Sequence, residues 1–184
     1  VRAMPLLFIG NEGQADPRVL YYLQGRDRMI GFTADGVTYV LRAGEAKVRS
    51  PGDPRGAGEG PETSMTWAVK LGFVGADPRA RPCGQERSGT RVSSFRGRRE
   101  EWKTDIGAYG SVVYENLWPG IDLVYEGAGG LLKATWLVHP GADPKTIRFA
   151  YTGAEEVEVT PGGGLRISTP VGGIEEGAPV TFQE

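Results

Sequence analysis

The residues of this chain best suited by type to do chemistry are two carboxylates in one short run, Ile121-Asp122-Leu123-Val124-Tyr125-Glu126, and the single histidine, His139. Acidic pairs cleave glycosidic bonds when their carboxyl groups stand roughly 5–9.5 Å apart, one as acid and one as nucleophile or base. On an extended strand Asp122 and Glu126 share a face but lie about 13 Å apart, too far unless the strand bends. Asp105, Glu115 and Glu126 would approach one another only across strands, and their spacing does not require it. Turn-capping or solvated carboxylates are the expected reading. His139 precedes Pro140 at the end of an apolar run. A serine or cysteine nucleophile would need it as base, yet there is no Gly-x-Ser-x-Gly elbow, and Cys83 sits in the turn-like Arg-Pro-Cys-Gly. Zinc takes three or four ligands, more than one histidine and one cysteine supply. We therefore expect a strand-end histidine with a satisfied hydrogen bond, no catalytic residue, no metal and no cofactor.

Aromatic side chains offer a second chemistry, because sugar rings stack on Trp and Tyr. Trp67 and Trp136 lie inside apolar runs and are expected in the core. Trp102 and Trp118 stand beside charged or turn residues. With Tyr109 and Tyr114 they are the candidate ligand-binding residues, and a polysaccharide is the ligand they suggest. For Trp118, an anchor packed beneath the Pro119 turn is the preferred alternative. The polar block Asn11-Glu12-Gly13-Gln14 suits a buried turn that satisfies its own backbone better than a ligand site.

Those residues must be positioned by strands. The chain has 29 Gly and 13 Pro in 184 residues, and each costs about 1 or 3 kcal/mol respectively inside a helix. The 4 Trp, 7 Tyr and 6 Phe, with repeated Val/Ile/Leu runs, supply a core that a disordered chain lacks. Short strand-like runs fall near 5–9, 19–24, 28–33, 37–42, 65–74, 110–116, 121–126, 131–138, 146–152, 155–159, 164–168 and 179–183. Met65, Trp67, Val69 and Leu71 alternate with Ser64, Thr66, Ala68 and Lys70, so one face is buried and the other wet. An all-β, antiparallel sandwich over 1–184 is expected, with two packed halves, 1–75 and 106–184, as one way of building it. An irregular connection, 76–105, would join them, and residues 51–64, rich in Gly, Pro and charge, read as a flexible loop. Ala-Asp-Pro followed by a basic residue occurs at Ala15–Arg18, Ala76–Arg79 and Ala142–Lys145. Asp and Pro at successive positions suit a type I turn, so recurrent turn chemistry explains the repeat better than a triplicated fold or a calcium site.

Net charge is −2, and the one dense basic cluster, Arg96-Gly97-Arg98-Arg99, is followed at once by Glu100-Glu101. No nucleic-acid partner is expected. One cysteine cannot form an internal disulfide. No apolar run approaches the roughly 18–20 residues of a transmembrane helix, so no transmembrane segment is expected. No signal peptide is visible in Val1–Ile9, and the chain reads as a piece of a longer protein.

Five blocks come in a recognisable order: Gly10–Asp16, Leu71–Pro78, Pro119–Tyr125, His139–Pro144 and Ala178–Glu184. In these the chain resembles the N-terminal domain of bacterial proteins that carry SBBP-type β-propeller repeats. Two blocks depart from the usual pattern. Gly10-Asn11-Glu12-Gly13-Gln14 stands where Glu-Asn-Arg-Gly-Gln is usual, and Ser93-Ser94-Phe95-Arg96-Gly97 where Asn-Tyr-Phe-x-Gly is usual. The resemblance implies an extracellular or cell-surface β-rich module and brings no catalytic residue with it. It makes a noncatalytic structural or interaction module of a larger secreted protein the leading expectation. Its partners would be a downstream β-propeller, other extracellular modules or neighbouring subunits. A carbohydrate- or polymer-binding module is the alternative, and a carboxylate-dependent hydrolase comes last.

Overall fold

The computed structural model describes residues 6–25, 28–43 and 65–182. The expected loop at 51–64 lies outside them, as does the end of the run at 179–183. Thirteen strands are described. The first five are β1 (Phe8–Gly10), β2 (Val19–Gln24), β3 (Arg28–Thr33), β4 (Gly36–Arg42) and β5 (Thr66–Phe73). Next come β6 (Pro82–Ser94), β7 (Lys103–Trp118), β8 (Ile121–Ala128), β9 (Leu131–Val138) and β10 (Phe149–Thr152). The last three are β11 (Glu156–Val159), β12 (Leu165–Thr169) and β13 (Gly172–Glu176). Helical structure among the described residues is confined to two three-residue 3-10 turns, Arg99–Glu101 and Pro144–Thr146.

All pairing is antiparallel. Strands β1 to β10 form one ten-stranded sheet, ordered β10-β5-β4-β3-β2-β1-β7-β8-β9, with β6 also on β7. The sixteen-residue β7 is the hinge of this arrangement. Tyr109 faces Phe8 of β1 on one side and Arg87 of β6 on the other. Two residues on, Ser111 faces Glu126 of β8 and Gln85 of β6. A strand has only two edges, so β1 and β8 occupy successive parts of one edge while β6 runs along the other. The sheet thereby divides into two layers that curl over each other.

The core forms where those layers meet. Phe32 of β3 stands 5.1 Å from the Tyr125 ring of β8, edge to face. Phe73 of β5 contacts Tyr114 and Trp118 of β7 at 5.1 and 5.9 Å. Trp118, Tyr114, Phe8 and Phe32 are all essentially fully buried, and each such side chain contributes about 1.5–3 kcal/mol. Buried polar tips need partners. The Tyr114 hydroxyl donates to the Thr33 carbonyl at 2.8 Å, and Trp118 Nε1 donates to the Val74 carbonyl at 3.1 Å. These two bonds cross from one layer to the other. The expected all-β sandwich is what forms.

Turn chemistry sets the register. At the β3–β4 hairpin Thr33 pairs with Gly36. A Cβ on Gly36 would stand 2.2 Å from the Leu71 carbonyl oxygen, so the close approach of β5 demands glycine. The three Ala-Asp-Pro segments build the same turn. In each, the Asp carbonyl accepts the N–H three residues on: Val19, Ala80 and Thr146. Each Asp side chain also accepts the N–H two residues on: Arg18, Arg79 and Lys145. At the first, the Arg18 guanidinium also bonds the carboxylate and holds the Asp16 pKa down to about 2. The Asn11–Gln14 block closes on itself as well, although it is not buried as expected, since Glu12 and Gly13 are exposed. Asn11 donates to the Asp16 and Val19 carbonyls and accepts from Gly13 and Ala15, while Gln14 donates to the Gly10 carbonyl.

Strands β11, β12 and β13 form a second, smaller sheet. Ile167 and Ile174 face each other across it and join the main core. The Tyr151 hydroxyl of β10 donates to Glu176 at the end of β13, tying the two sheets together.

One expectation about organisation is corrected. The stretch 76–105 is not irregular, since it holds the thirteen-residue β6. Described strands of the stretches 1–75 and 106–184 pair with each other, β1 with β7 and β10 with β5. Strands from both ends of the chain share one sheet.

Candidate functional site

Asp122 opens β8 directly after the Trp118-Pro119-Gly120-Ile121 turn. Its carboxylate accepts the Asn116 N–H at 2.7 Å and lies 2.8 Å from His139 Nε2. Asn116 sits at φ +46°, within the register shift between Tyr114 and Trp118. A bulge leaves a backbone donor without its ladder partner, and Asp122 supplies the acceptor. Burial alone would raise the Asp122 pKa; the Asn116 N–H and the His139 ring outweigh it and hold the carboxyl below the ordinary value. The two Pro-Gly turns also meet here. His139 N–H donates to the Gly120 carbonyl at 2.9 Å, and a Cβ on Gly120 would stand 2.9 Å from the Ala142 Cβ. His139, 55% exposed at its side chain, is thus the strand-end histidine with a hydrogen bond that its context predicts. The cluster latches one turn to the other.

Two further acidic candidates are likewise engaged in pairs, while Glu115 is exposed on β7. Glu126 binds Lys133 across the β8–β9 ladder at 3.0 Å, and Asp105 binds Arg91 at 2.9 Å. Cys83 is exposed on β6. Among the described residues no three His, Cys, Asp or Glu side chains gather as a metal site would need. No helix among them is long and apolar enough to cross a membrane.

The four aromatic candidates separate sharply. Trp118 and Tyr114 are buried beneath the turn and between the layers, which corrects the ligand-binding expectation for both and matches the anchor preferred for Trp118. Contact of both rings with Phe73, the Tyr114 hydroxyl on the Thr33 carbonyl and Trp118 Nε1 on the Val74 carbonyl leave them no open face. Tyr109 is half-buried against Tyr21, ring centroids 5.4 Å apart, over Gly84. Trp102 alone of the four is exposed, at 42%. It stands at the tip of the long β6–β7 hairpin beside Phe95, 62% exposed, with ring centroids 5.2 Å apart at 78°. The Arg99 guanidinium lies over the Trp102 ring at 5.9 Å.

The tip is held in shape by its own charges. The Glu101 carboxylate accepts the Arg98 N–H at 3.0 Å, closing the 3-10 turn that carries Arg99 towards Trp102. A groove of about 250 Å³ runs from Phe95 and Ser94 past Gln14, Tyr22, Gln24 and Met29. Phe95 and Arg99 were not among the sequence-derived candidates. Their signal was present: an aromatic residue on either side of a Gly- and Arg-rich turn, seven positions apart, places both rings at one hairpin tip.

A family model described as "Domain of unknown function (DUF7948)" matches residues 8–184. No curated protein and no solved structure matches the chain. The family match covers both sheets, the Asp122–His139 latch and the aromatic tip, and the chain belongs to the DUF7948 family.

Proposed function

We propose that this chain is a noncatalytic interaction module of a larger secreted or cell-surface bacterial protein, and that it contacts its partner through the β6–β7 tip. One observation carries the reading: Phe95, Trp102 and Arg99 project together from a hairpin tip, two large aromatic rings exposed beside a guanidinium. Trp and Arg are the residue types that dominate protein interface energetics, because they combine large apolar area with directional polar contacts. The groups that a catalytic reading would use support it too. Asp122, Glu126, Asp105 and His139 are all engaged in intramolecular bonds. The partner that fits the resemblance of the five sequence blocks is an adjoining extracellular module, a β-propeller first among them.

A polysaccharide ligand is less well supported. Sugars stack flat on an open aromatic face, whereas Arg99 lies over the Trp102 ring and Phe95 meets it edge-on. The test is calorimetric binding of this domain to the modules encoded beside it. Trp102→Ala is expected to weaken binding by about 30-fold, the effect of losing roughly 2 kcal/mol at an interface centre. Unchanged affinity in a Phe95→Ala/Trp102→Ala variant would overturn the proposal. A glycan-array signal that disappears with Trp102→Ala would favour the sugar reading instead.

A further inference from the structure

We infer that the outer edge of β9 is an interface for a second copy of this chain, paired antiparallel with the same strand of that copy. The open edges of the large sheet differ in how they are protected. Strand β6 carries register shifts between Arg87 and Arg91 and between Val92 and Ser94, with Glu86 at φ +54°. Bulges and charges of this kind deter edge-to-edge pairing. Strand β10 offers only four residues. Strand β9 has no bulge, and its one charge is already neutralised by Glu126 of β8. Its eight residues pair with β8 without a register shift, and they include no proline and one charge, Lys133. Leu131, Leu137 and Val138 are 75%, 45% and 42% exposed. Among the described residues, no backbone hydrogen bond from outside β8 reaches 131–138.

A second observation falls on the same strand. The buried side-chain polar atoms without a hydrogen-bond partner among the described residues are Thr135 Oγ1 and Trp136 Nε1, both on β9. Adjacent strand residues point to opposite faces. Trp136 stacks on Phe149 against the core, so Thr135, on the outer face with Lys133, is the residue whose polar contact a partner at this edge completes.

The register follows from the hairpin. Ala128 and Leu131 flank the two-residue Gly129–Gly130 turn, which makes them a hydrogen-bonded pair. Bonding alternates along an antiparallel ladder, so Leu132, Ala134, Trp136 and Val138 direct their backbone groups to the free edge. A two-fold axis through Ala134 keeps the outer faces of both copies on one side. It sets Ala134 against Ala134 and Leu132 against Trp136, exchanging about six backbone hydrogen bonds. The same register places exposed Leu131 opposite exposed Leu137 in the closer, non-bonded pairs. Lys133 comes to face Thr135, the ammonium donor opposite the unpartnered hydroxyl, and no like charges meet head-on. Leu and Lys positions on one face are therefore self-complementary, as an isologous dimer interface requires.

Sedimentation velocity of the 184-residue chain over a dilution series tests this. The wild type is expected to dimerise as concentration rises. Ala134→Pro removes an outward N–H at a position where an edge strand tolerates proline, and should leave a folded monomer by circular dichroism. Leu137→Lys should raise the dimer dissociation constant at least tenfold. Adding Leu131→Glu to it should recover most of that loss, because the register sets opposite charges across the pair. A wild type monomeric at its highest soluble concentration would overturn the inference. A dimer indifferent to Leu137→Lys, or a double variant no tighter than Leu137→Lys alone, would overturn it equally, and both readouts stand if Ala134→Pro fails to fold.

Discussion

Replacing Asp122 by alanine should cost the fold about 1.5–2 kcal/mol, the low end of the range for hydrogen bonds to a charged group because both bonds are exposed. The carboxylate is 18% exposed and accepts two bonds, the Asn116 N–H at 2.7 Å and the His139 ring at 2.8 Å. His139 is more than half exposed, so its bond is partly screened and contributes less than about 1 kcal/mol. Most of the loss comes from Asn116, whose exposed N–H would exchange the carboxylate for water inside a bulge at positive φ. For a chain of this size the change corresponds to a fall in Tm of roughly 3–8 °C. Asp122→Asn keeps an acceptor for Asn116 and should cost only about 1 kcal/mol. Acid supplies a second reading of the same bond. The folded-state pKa of Asp122 is depressed, so its contribution is complete above the unfolded value of about 4 and is lost as pH falls through the folded one. Differential scanning calorimetry of wild type and Asp122→Ala should therefore show a Tm gap that is constant near neutrality and narrows below about pH 4. A gap under about 1 °C at pH 7, where roughly 5 °C is expected, would refute the latch. A gap that widens on acidification would refute it too.

Further predictions concern the core. Gly36→Ala drives a Cβ to 2.2 Å from the Leu71 oxygen; thermal unfolding should show a loss of about 3 kcal/mol, the upper end for overpacking. Tyr39, Tyr114, Tyr125 and Tyr151 all have raised pKa values, with burial the largest cause. Their neutral forms stabilise the fold below the unfolded tyrosine pKa of about 10, and that stability is lost as pH rises. Absorbance titration at alkaline pH should show these four ionising only as the protein unfolds. Reversible ionisation of all 7 tyrosines in the folded state would contradict their burial.

Apolar runs bounded by turn residues carried most of the fold. Strands β2, β3 and β9 coincide with the runs 19–24, 28–33 and 131–138, because each is a short run rich in apolar and aromatic residues between Gly, Pro or Asp positions. Strand β6 lacked that signal. Its residues are mostly exposed on both faces, so Cys-Gly-Gln-Glu-Arg-Ser-Gly-Thr has no apolar period to read. Strand β13 was invisible for a related reason, since Ile174 is its only large apolar residue. The run at 179–183 misled in the opposite direction. Val180 and Phe182 alternate like a strand, yet 84% and 66% of their surfaces remain exposed and no described strand pairs with them. Of the candidate site, the engagement of His139 and of the Asn11–Gln14 block was legible from local turn chemistry. The burial of Tyr114 was not, because it depends on Phe73 and Thr33, far away in sequence. Trp102 stood out by its charged neighbours, while Phe95 and Arg99 became partners only once β6 and β7 formed a hairpin.

The proposed division of labour makes the β6–β7 tip the interaction surface and the Asp122–His139 cluster architecture. Calorimetric binding to the adjoining modules, measured side by side for Phe95→Ala/Trp102→Ala and His139→Ala, tests it most directly. The account predicts that the tip variant loses binding by at least about 30-fold while His139→Ala binds as the wild type does. Full affinity in the tip variant, with binding lost in a folded His139→Ala, would contradict it.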